Sequence, residues 1–330
     1  MRFFSLRFSL FLLLVFGGLA ALGTLIPQGQ PPSFYQAQYG AFLGQLLLRL
    51  SLDHLYRSWW FIALGGILAL NLLVCPLRRW GVSSGLKGWG LLVLHLGALV
   101  LLVGAGISFA MAKHALVELG VGDRLDLAEY GFPGLALSLE RFEIQYYSNL
   151  EPKQFTSTVN LQSADGEARQ GKVSVNHPLE FQGIKLYQSR WGWLVKGEVT
   201  IGEKAIPFEV ESGKPLALNQ GQTLYLVPQF VPDLNADSPV ANNPGLFCRL
   251  MRGHEVIAKE LIKLGETKSL QGYSLSFQGY RYLSGLEVKR DPGLPVVYTG
   301  FGLLGLGLIL ARMRKGRPSR QAAQADKEKT

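Results

Sequence analysis

Residues 88–109 read GWGLLVLHLGALVLLVGAGISF, an apolar run whose one ionisable side chain is His95. A transmembrane helix needs about 20 apolar residues, so the stretch predicts a span, and that reading decides the fold class. An ionisable group at membrane depth costs at least ~2–3 kcal/mol on insertion scales, which makes the imidazole a functional candidate by default. Three comparable runs lie elsewhere, at approximately residues 10–26, 59–77 and 294–310. The 330 residues are 48% hydrophobic and 17% charged, low in charge for a soluble protein, and the apolar excess sits in these four blocks. The expected class is an integral membrane protein with four transmembrane α-helices and a large β-rich extracytoplasmic domain.

A net charge of +9 could signal nucleic acid, but its location argues otherwise. The N-terminus, the connection holding Arg78, Arg79 and Lys87, and the tail from Arg312 carry 12 basic and 2 acidic residues. Residues 110–295 carry 19 basic and 21 acidic. An excess confined to short flanks of spans is the positive-inside pattern. It implies a cytoplasmic N-terminus, short basic loop and tail, with the first loop and the large domain outside, and no nucleic-acid partner. The expected boundaries are 1–26 for the N-terminus and first span, 27–58 for an outer loop, and 59–77 for the second span. A basic loop follows at 78–88, the third span with His95 at 89–109, the outer domain at 110–293, the fourth span at 294–311 and the tail at 312–330.

The opening MRFFSLRFSLFLLLVFGGLAALGTLIPQG has the basic start and apolar core of a secretory signal. Because the run continues to Ile26, it reads as a retained signal-anchor span, the alternative being cleavage between Ala20 and Ala21. Pro27–Pro32 is a breaker-rich turn. From Ser33 to Leu55, apolar residues at spacings of three and four suggest a helix lying along the membrane interface. Trp59 and Trp60 read as interface anchors. Asn71, in the second span, is expected to be satisfied against another helix. Gly90 and Gly97 remove bulk beside His95, so that a helix or a flat ligand could come close.

After Lys113 the pattern changes to stretches such as LALSLERFEIQYY, QFTSTVNLQS, KVSVNHPLEFQGIKLYQS, LVKGEVTIG, TLYLVPQFV, LFCRLM and YSLSFQGYRYL. They are rich in β-branched and aromatic residues and separated by turn formers. They predict a β-rich domain of sandwich or barrel type. Residues 233–245, DLNADSPVANNPG, read as a long mobile loop.

Chemistry is sparse. There is no GxSxG, HExxH or phosphate loop. Two cysteines, Cys75 and Cys248, are too few for a disulfide framework and are expected on opposite sides of the membrane. His54, next to Asp53, reads as a solvated or capping residue, with a ligand or relay role as the alternative. His114 reads as interfacial, His177 as a turn residue and His254 as part of an exposed hairpin turn. For His95 three roles are physically open: a haem axial ligand, a proton relay or a helix–helix hydrogen bond. A relay needs further titratable groups in the spans, and the sequence has none there. A neutral imidazole on haem iron avoids the cost of a buried charge. A single histidine supplies one axial ligand only.

These pieces together resemble the ResB family (Ccs-type, System II) of cytochrome c biogenesis proteins. The resemblance rests on SLRFSLFLLLVF and LGTLIPQ, YGAFLG and LSLDHLYRSWWF, LLVCPLRRW, LHLGALVLLVGAGIS, VNHPLEFQGIKLYQSRWG, and DPGLPVVYTGFGLLGLGLIL. It implies a bacterial cytoplasmic (inner) membrane protein that pairs with a CcsA/ResC-like membrane partner. It also implies transport of haem b to the outer face for thioether attachment to CxxCH of apocytochrome c, whose thiols a thioredoxin-like protein keeps reduced. His95 is similar to the family's third-span histidine, one of two haem ligands, the other being the partner's. The tryptophan-rich segment of that partner is missing here: Trp59-Trp60 is followed by Phe61, and Trp191-Gly192-Trp193 does not match it. The resemblance therefore implies an accessory, unfused subunit and not a complete synthase. The alternatives are a haem- or quinone-handling subunit of a membrane redox complex, and an anchored scaffold whose β-domain docks a partner.

Overall fold

A computed structural model describes residues 6–79, 86–219, 221, 223–236 and 238–312. Residues 80–85 of the expected basic loop and 313–330 of the expected tail lie outside the described residues. The chain forms two compact units, a helical one before Lys113 and after Asp291, and a β unit over Lys113–Asp291.

The helical unit contains α1 (Leu6–Leu25), α2 (Pro32–Arg49), α3 (Trp59–Arg79), α4 (Leu86–Met111) and α5 (Leu294–Arg312). α1, α4 and α5 are long and apolar enough to cross a membrane. A fourth candidate arises when Pro32–Arg57 and Trp59–Cys75, bent by 49°, are taken together. Leu13, Leu14 and Leu25 of α1 and Phe301, Leu308 and Ile309 of α5 are exposed. In water such surface costs about 25 cal/mol per Å², a cost that lipid removes.

The LIPQ motif is the clamp between α1 and the segment after α2. Gln28 Nε2 donates to the carbonyls of Gly23, Ile26 and Leu52 at 3.1, 2.9 and 2.9 Å, and its Oε1 accepts from the Leu55 amide at 3.0 Å. One amide thus satisfies backbone groups that a helix end and a turn leave unpaired. Tyr56 reaches back to donate its hydroxyl to the Ala20 carbonyl at 2.9 Å. The Phe16 and Phe61 rings stack with centroids 4.6 Å apart, so the middle of α1 packs on the start of α3.

α2 and the turn after it differ from the sequence expectation of one interfacial helix over 33–55. α2 kinks at Gly40, where φ is 80°, and the chain turns again at Ser51, φ 54°, before a short 3-10 turn over Leu52–Arg57. The first kink needs glycine, since positive φ is costly for any residue with a Cβ. It also brings Gly44 against Tyr35, where a Cβ would stand 2.7 Å from the Tyr35 carbonyl oxygen.

The β unit begins with β1 (Lys113–Gly120), β2 (Arg124–Asp126), β3 (Leu135–Tyr146), β4 (Pro152–Ser163), β5 (Ala168–Ser174), β6 (Leu179–Phe181) and β7 (Ile184–Ile201). It continues through β8 (Lys204–Glu211), β9 (Leu216–Ala217), β10 (Leu224–Val231), β11 (Gly245–Arg252), β12 (Glu255–Lys263), β13 (Thr267–Leu270) and β14 (Tyr273–Arg290). The two strands of 18 residues, β7 and β14, pair antiparallel along almost their whole length. Around this ribbon the unit divides into two lobes. In the first, β1 and β6 extend one end of the ribbon, and the β2-β3-β4-β5 sheet covers a core that includes Leu137, Leu139, Val159 and Leu286. In the second, β8 and β13 extend the other end, and the β12-β11-β10-β9 sheet covers a core around Phe230, Leu250, Phe277 and Trp193. The turn between β6 and β7 has positive φ at both Gln182 (44°) and Gly183 (76°), the two-residue hairpin form that matches strand twist. The irregular segment between β10 and β11 is closed at its neck, where the Leu234 amide donates to the Asn243 carbonyl at 2.9 Å.

Where the lobes join, two arginines are held by carboxylates from different strands. Arg190 donates to both oxygens of Glu211 at 2.8 and 2.9 Å and to Glu118 at 2.6 Å. Arg281 donates to both oxygens of Glu209 at 2.8 and 2.7 Å, and to Asp123 and the Val121 carbonyl. Trp193 and Tyr282, opposite each other in the ribbon, stack at 4.1 Å.

Candidate functional site

α4 positions His95 by a division of its faces. Gly90, Gly97 and Gly104 recur every seven residues, and Gly300 and Gly307 of α5 share that spacing with Gly293 just before it. A Cβ at Gly97 would stand 2.7 Å from the Leu304 amide nitrogen, and one at Gly300 would stand 2.7 Å from that of Leu101. The two helices therefore touch backbone to backbone, as small-residue seams allow. Of the two visitors that Gly90 and Gly97 could admit, a helix or a flat ligand, α5 occupies that face.

His95 is elsewhere on α4. At about 100° per residue it lies about 160° round from the glycine seam, nearly opposite it. It is nonetheless 8% exposed, one of the few polar side chains buried in the helical unit. Its Nδ1 is 2.8 Å from the Leu91 carbonyl oxygen one turn earlier. A carbonyl can only accept, so Nδ1 carries the proton and a neutral ring keeps its lone pair on Nε2. That is the arrangement of a metal-binding imidazole, one nitrogen tethered and the other bare. A group of three or more histidine, cysteine or carboxylate side chains able to hold a metal ion does not occur among the described residues. What His95 offers is one neutral nitrogen ligand in an apolar helix.

Of the other histidines, His54 belongs to the helical unit and His114, His177 and His254 to the β unit. His54 Nδ1 pairs with Asp53 Oδ2 at 2.7 Å in the 3-10 turn, with the ring 53% exposed. His114 is exposed on β1 opposite Lys289. His177 stands in a tight turn after Asn176, φ 64°, with Nδ1 3.0 Å from the Val175 carbonyl. His254 occupies the exposed turn between β11 and β12. Both cysteines are buried and free, in separate units, and burial pushes the Cys248 thiol up to about 12, which keeps it protonated and unreactive.

Asn71 is only half satisfied. Ser9 of α1 donates to its Oδ1, while Nδ2 has no partner among the described residues. A lone amide in an apolar run was visible in the sequence; the missing second partner was not. The paired arginines of the β unit gave no sequence signal, because their carboxylates come from distant strands.

This architecture, apolar helices carrying one tethered histidine and a large β-rich domain, is that of a membrane protein. The ResB-like family model matches residues 6–85 and 84–246, and the chain belongs to that family. It is similar to the cytochrome c biogenesis protein CcsB of Synechococcus sp. strain RCC307, with 30% identity over 94% of this chain and 87% of the relative. The CcsB proteins of Synechococcus sp. strain CC9605, at 30% identity over 94% and 87%, and of Picosynechococcus sp., at 26% over 93% and 81%, are also similar. Cytochrome c biogenesis is the process this chain serves, and haem is the group that process handles.

Proposed function

We propose that this chain is the haem-handling subunit of a cytochrome c synthase complex in the bacterial cytoplasmic (inner) membrane. The observation that carries the proposal is the His95 Nδ1–H bond to the Leu91 carbonyl, which leaves Nε2 free to ligate iron. Haem b, the cargo, supplies an iron centre that takes neutral imidazole readily. His95 holds it by one axial bond, and a CcsA/ResC-like membrane partner provides the second ligand. Tethering of the ring fixes the direction of Nε2, so ordering the imidazole does not have to be repeated at each loading. The apolar helix surface keeps water away from the iron bond.

The charge pattern supports four spans, with the N-terminus and the basic loop inside and the β unit outside. Contacts from Ser9 to Gly23 with α3 and the turn before it support α1 as a retained span. In this reading the β unit meets apocytochrome c on the outer side, where a thioredoxin-like protein has reduced the CxxCH thiols. The test is co-purification of the chain with its partner. His95→Ala should lower bound haem at least fivefold, and added imidazole should restore the spectrum. Undiminished haem and normal cytochrome c maturation in the variant would overturn the ligand role.

A further inference from the structure

Apart from Ser58 at the head of α3, the described part of the helical unit buries three polar side chains: Ser9, Asn71 and His95, exposed by 6%, 1% and 8%. They fall in one layer. Asn71 is eight residues before the end of α3 at Arg79, and His95 is nine after the start of α4 at Leu86. A connection this short in sequence makes α3 and α4 antiparallel neighbours, so both side chains stand about 12–14 Å from those two helix ends at 1.5 Å per residue. Ser9 is in the same layer because it bonds Asn71.

His95 points about 160° away from the seam that α5 fills, yet it is buried, and α3 is also packed on α4. Phe61 and Gly65 mark the side of α3 that meets Phe16 of α1. Asn71 lies about 100° round from that side, and α3's other helical neighbour is α4. Its Nδ2 is left without a partner in this place. Reversing the amide would satisfy Nδ2 with Ser9 but orphan Oδ1, so one hydrogen-bonding atom stays unpaired either way. An unpaired amide is costly in an apolar interior, and its position in the layer of His95 calls for an acceptor brought by a ligand.

We infer that Asn71, braced by Ser9, is a second binding group of the His95 site and donates Nδ2–H to a carboxylate of the porphyrin whose iron His95 holds. The inference rests on the haem reading above. A metalloporphyrin's nitrogens are taken up by the metal, and its rim is otherwise apolar. Its peripheral carboxylates are therefore the acceptors that a lateral amide can reach.

The test uses the full-length chain purified with its partner subunit, titrated with iron protoporphyrin IX and with the dimethyl ester of the same compound. A hydrogen bond to a charged group corresponds to about a tenfold change in affinity or more. Wild type should bind the free acid about tenfold more tightly than the ester. In Asn71→Leu the acid should weaken to the level of the ester, with the Soret position set by His95 unchanged. Ser9→Ala, which removes only the brace, should lower the acid-to-ester ratio part of the way, and it decides the matter if Asn71→Leu does not accumulate. An unchanged ratio in these variants would overturn the inference, including the case of a purely structural amide, where only thermal stability falls. His95→Ala reports separately: if it leaves both titrations intact, the haem reading itself fails.

Discussion

Arg190 grips Glu211 through two parallel hydrogen bonds, the geometry in which a guanidinium matches a carboxylate best. The hydrogen bonds from Arg190 and Lys214 outweigh burial and hold the Glu211 carboxyl down to about 2, against an ordinary 4.5. A group whose folded value is depressed stabilises the fold fully at neutral pH and loses that contribution as pH falls through the folded value. Glu211→Gln should therefore destabilise the β unit by about 1.5–3 kcal/mol at pH 7, the range for hydrogen bonds to charged groups. Thermal melts at decreasing pH should show the gap to wild type narrowing from about pH 5 and closing near pH 2. A gap that stayed constant with pH would mean that packing, not the ion pair, was lost. At this scale legibility was uneven. His95 stood out in the sequence because any imidazole in such a run is anomalous. The tether to Leu91 follows from a rotamer, and the Glu211 partner comes from a strand 21 residues away, so neither leaves a local trace.

Between α4 and α5 the decisive quantity is the closeness of two backbones. The seven-residue glycine repeats could be read in both stretches of sequence, but not that the stretches meet, since about 190 residues separate them and nothing local encodes the pairing. Gly97→Leu places side-chain atoms where a Cβ already stands 2.7 Å from the Leu304 nitrogen and 3.0 Å from the Gly300 carbonyl oxygen. Backbone cannot yield as a flexible side chain can, so the helices must separate. The expected cost is at least the 1–3 kcal/mol of ordinary overpacking, visible as lower accumulation and earlier thermal aggregation in detergent. Gly302→Leu is the control: it lies on the same helix, α5, and a Cβ there meets nothing within 4 Å. If both variants behaved alike, helix propensity and not the seam would explain the loss. α2 shows the opposite limit of sequence reading. Its apolar spacing was legible, but the break at Gly40 depends on a φ of 80°, and a glycine in a helical pattern does not announce whether that freedom is used.

The β unit as a whole is built on one ribbon, and the sequence obscured this. Gly192 between Trp191 and Trp193 reads as punctuation, so β7 was split into the ends of two shorter stretches. The continuation of β14 beyond Leu283 was likewise missed. Both strands in fact pass through the two cores. A chain segment shared by two cores couples their unfolding, because neither lobe can lose its sheet without exposing the other's edge. The arginine pairs at the junction strengthen this: Arg190 ties β7 to β1 and β8, and Arg281 ties β14 to β8 and the turn after β1. Residues 113–291, secreted as a separate domain, should therefore melt in a single calorimetric transition. Leu137, fully buried in the first lobe, offers the stricter trial. Leu137→Ala removes about 2–5 kcal/mol of core packing, which for a domain of this size lowers the melting temperature by roughly 5–15 °C. In a coupled unit the one transition shifts whole. Two independent lobes would instead give a first transition moved down and a second left in place, and the ribbon would then be a hinge between separate domains.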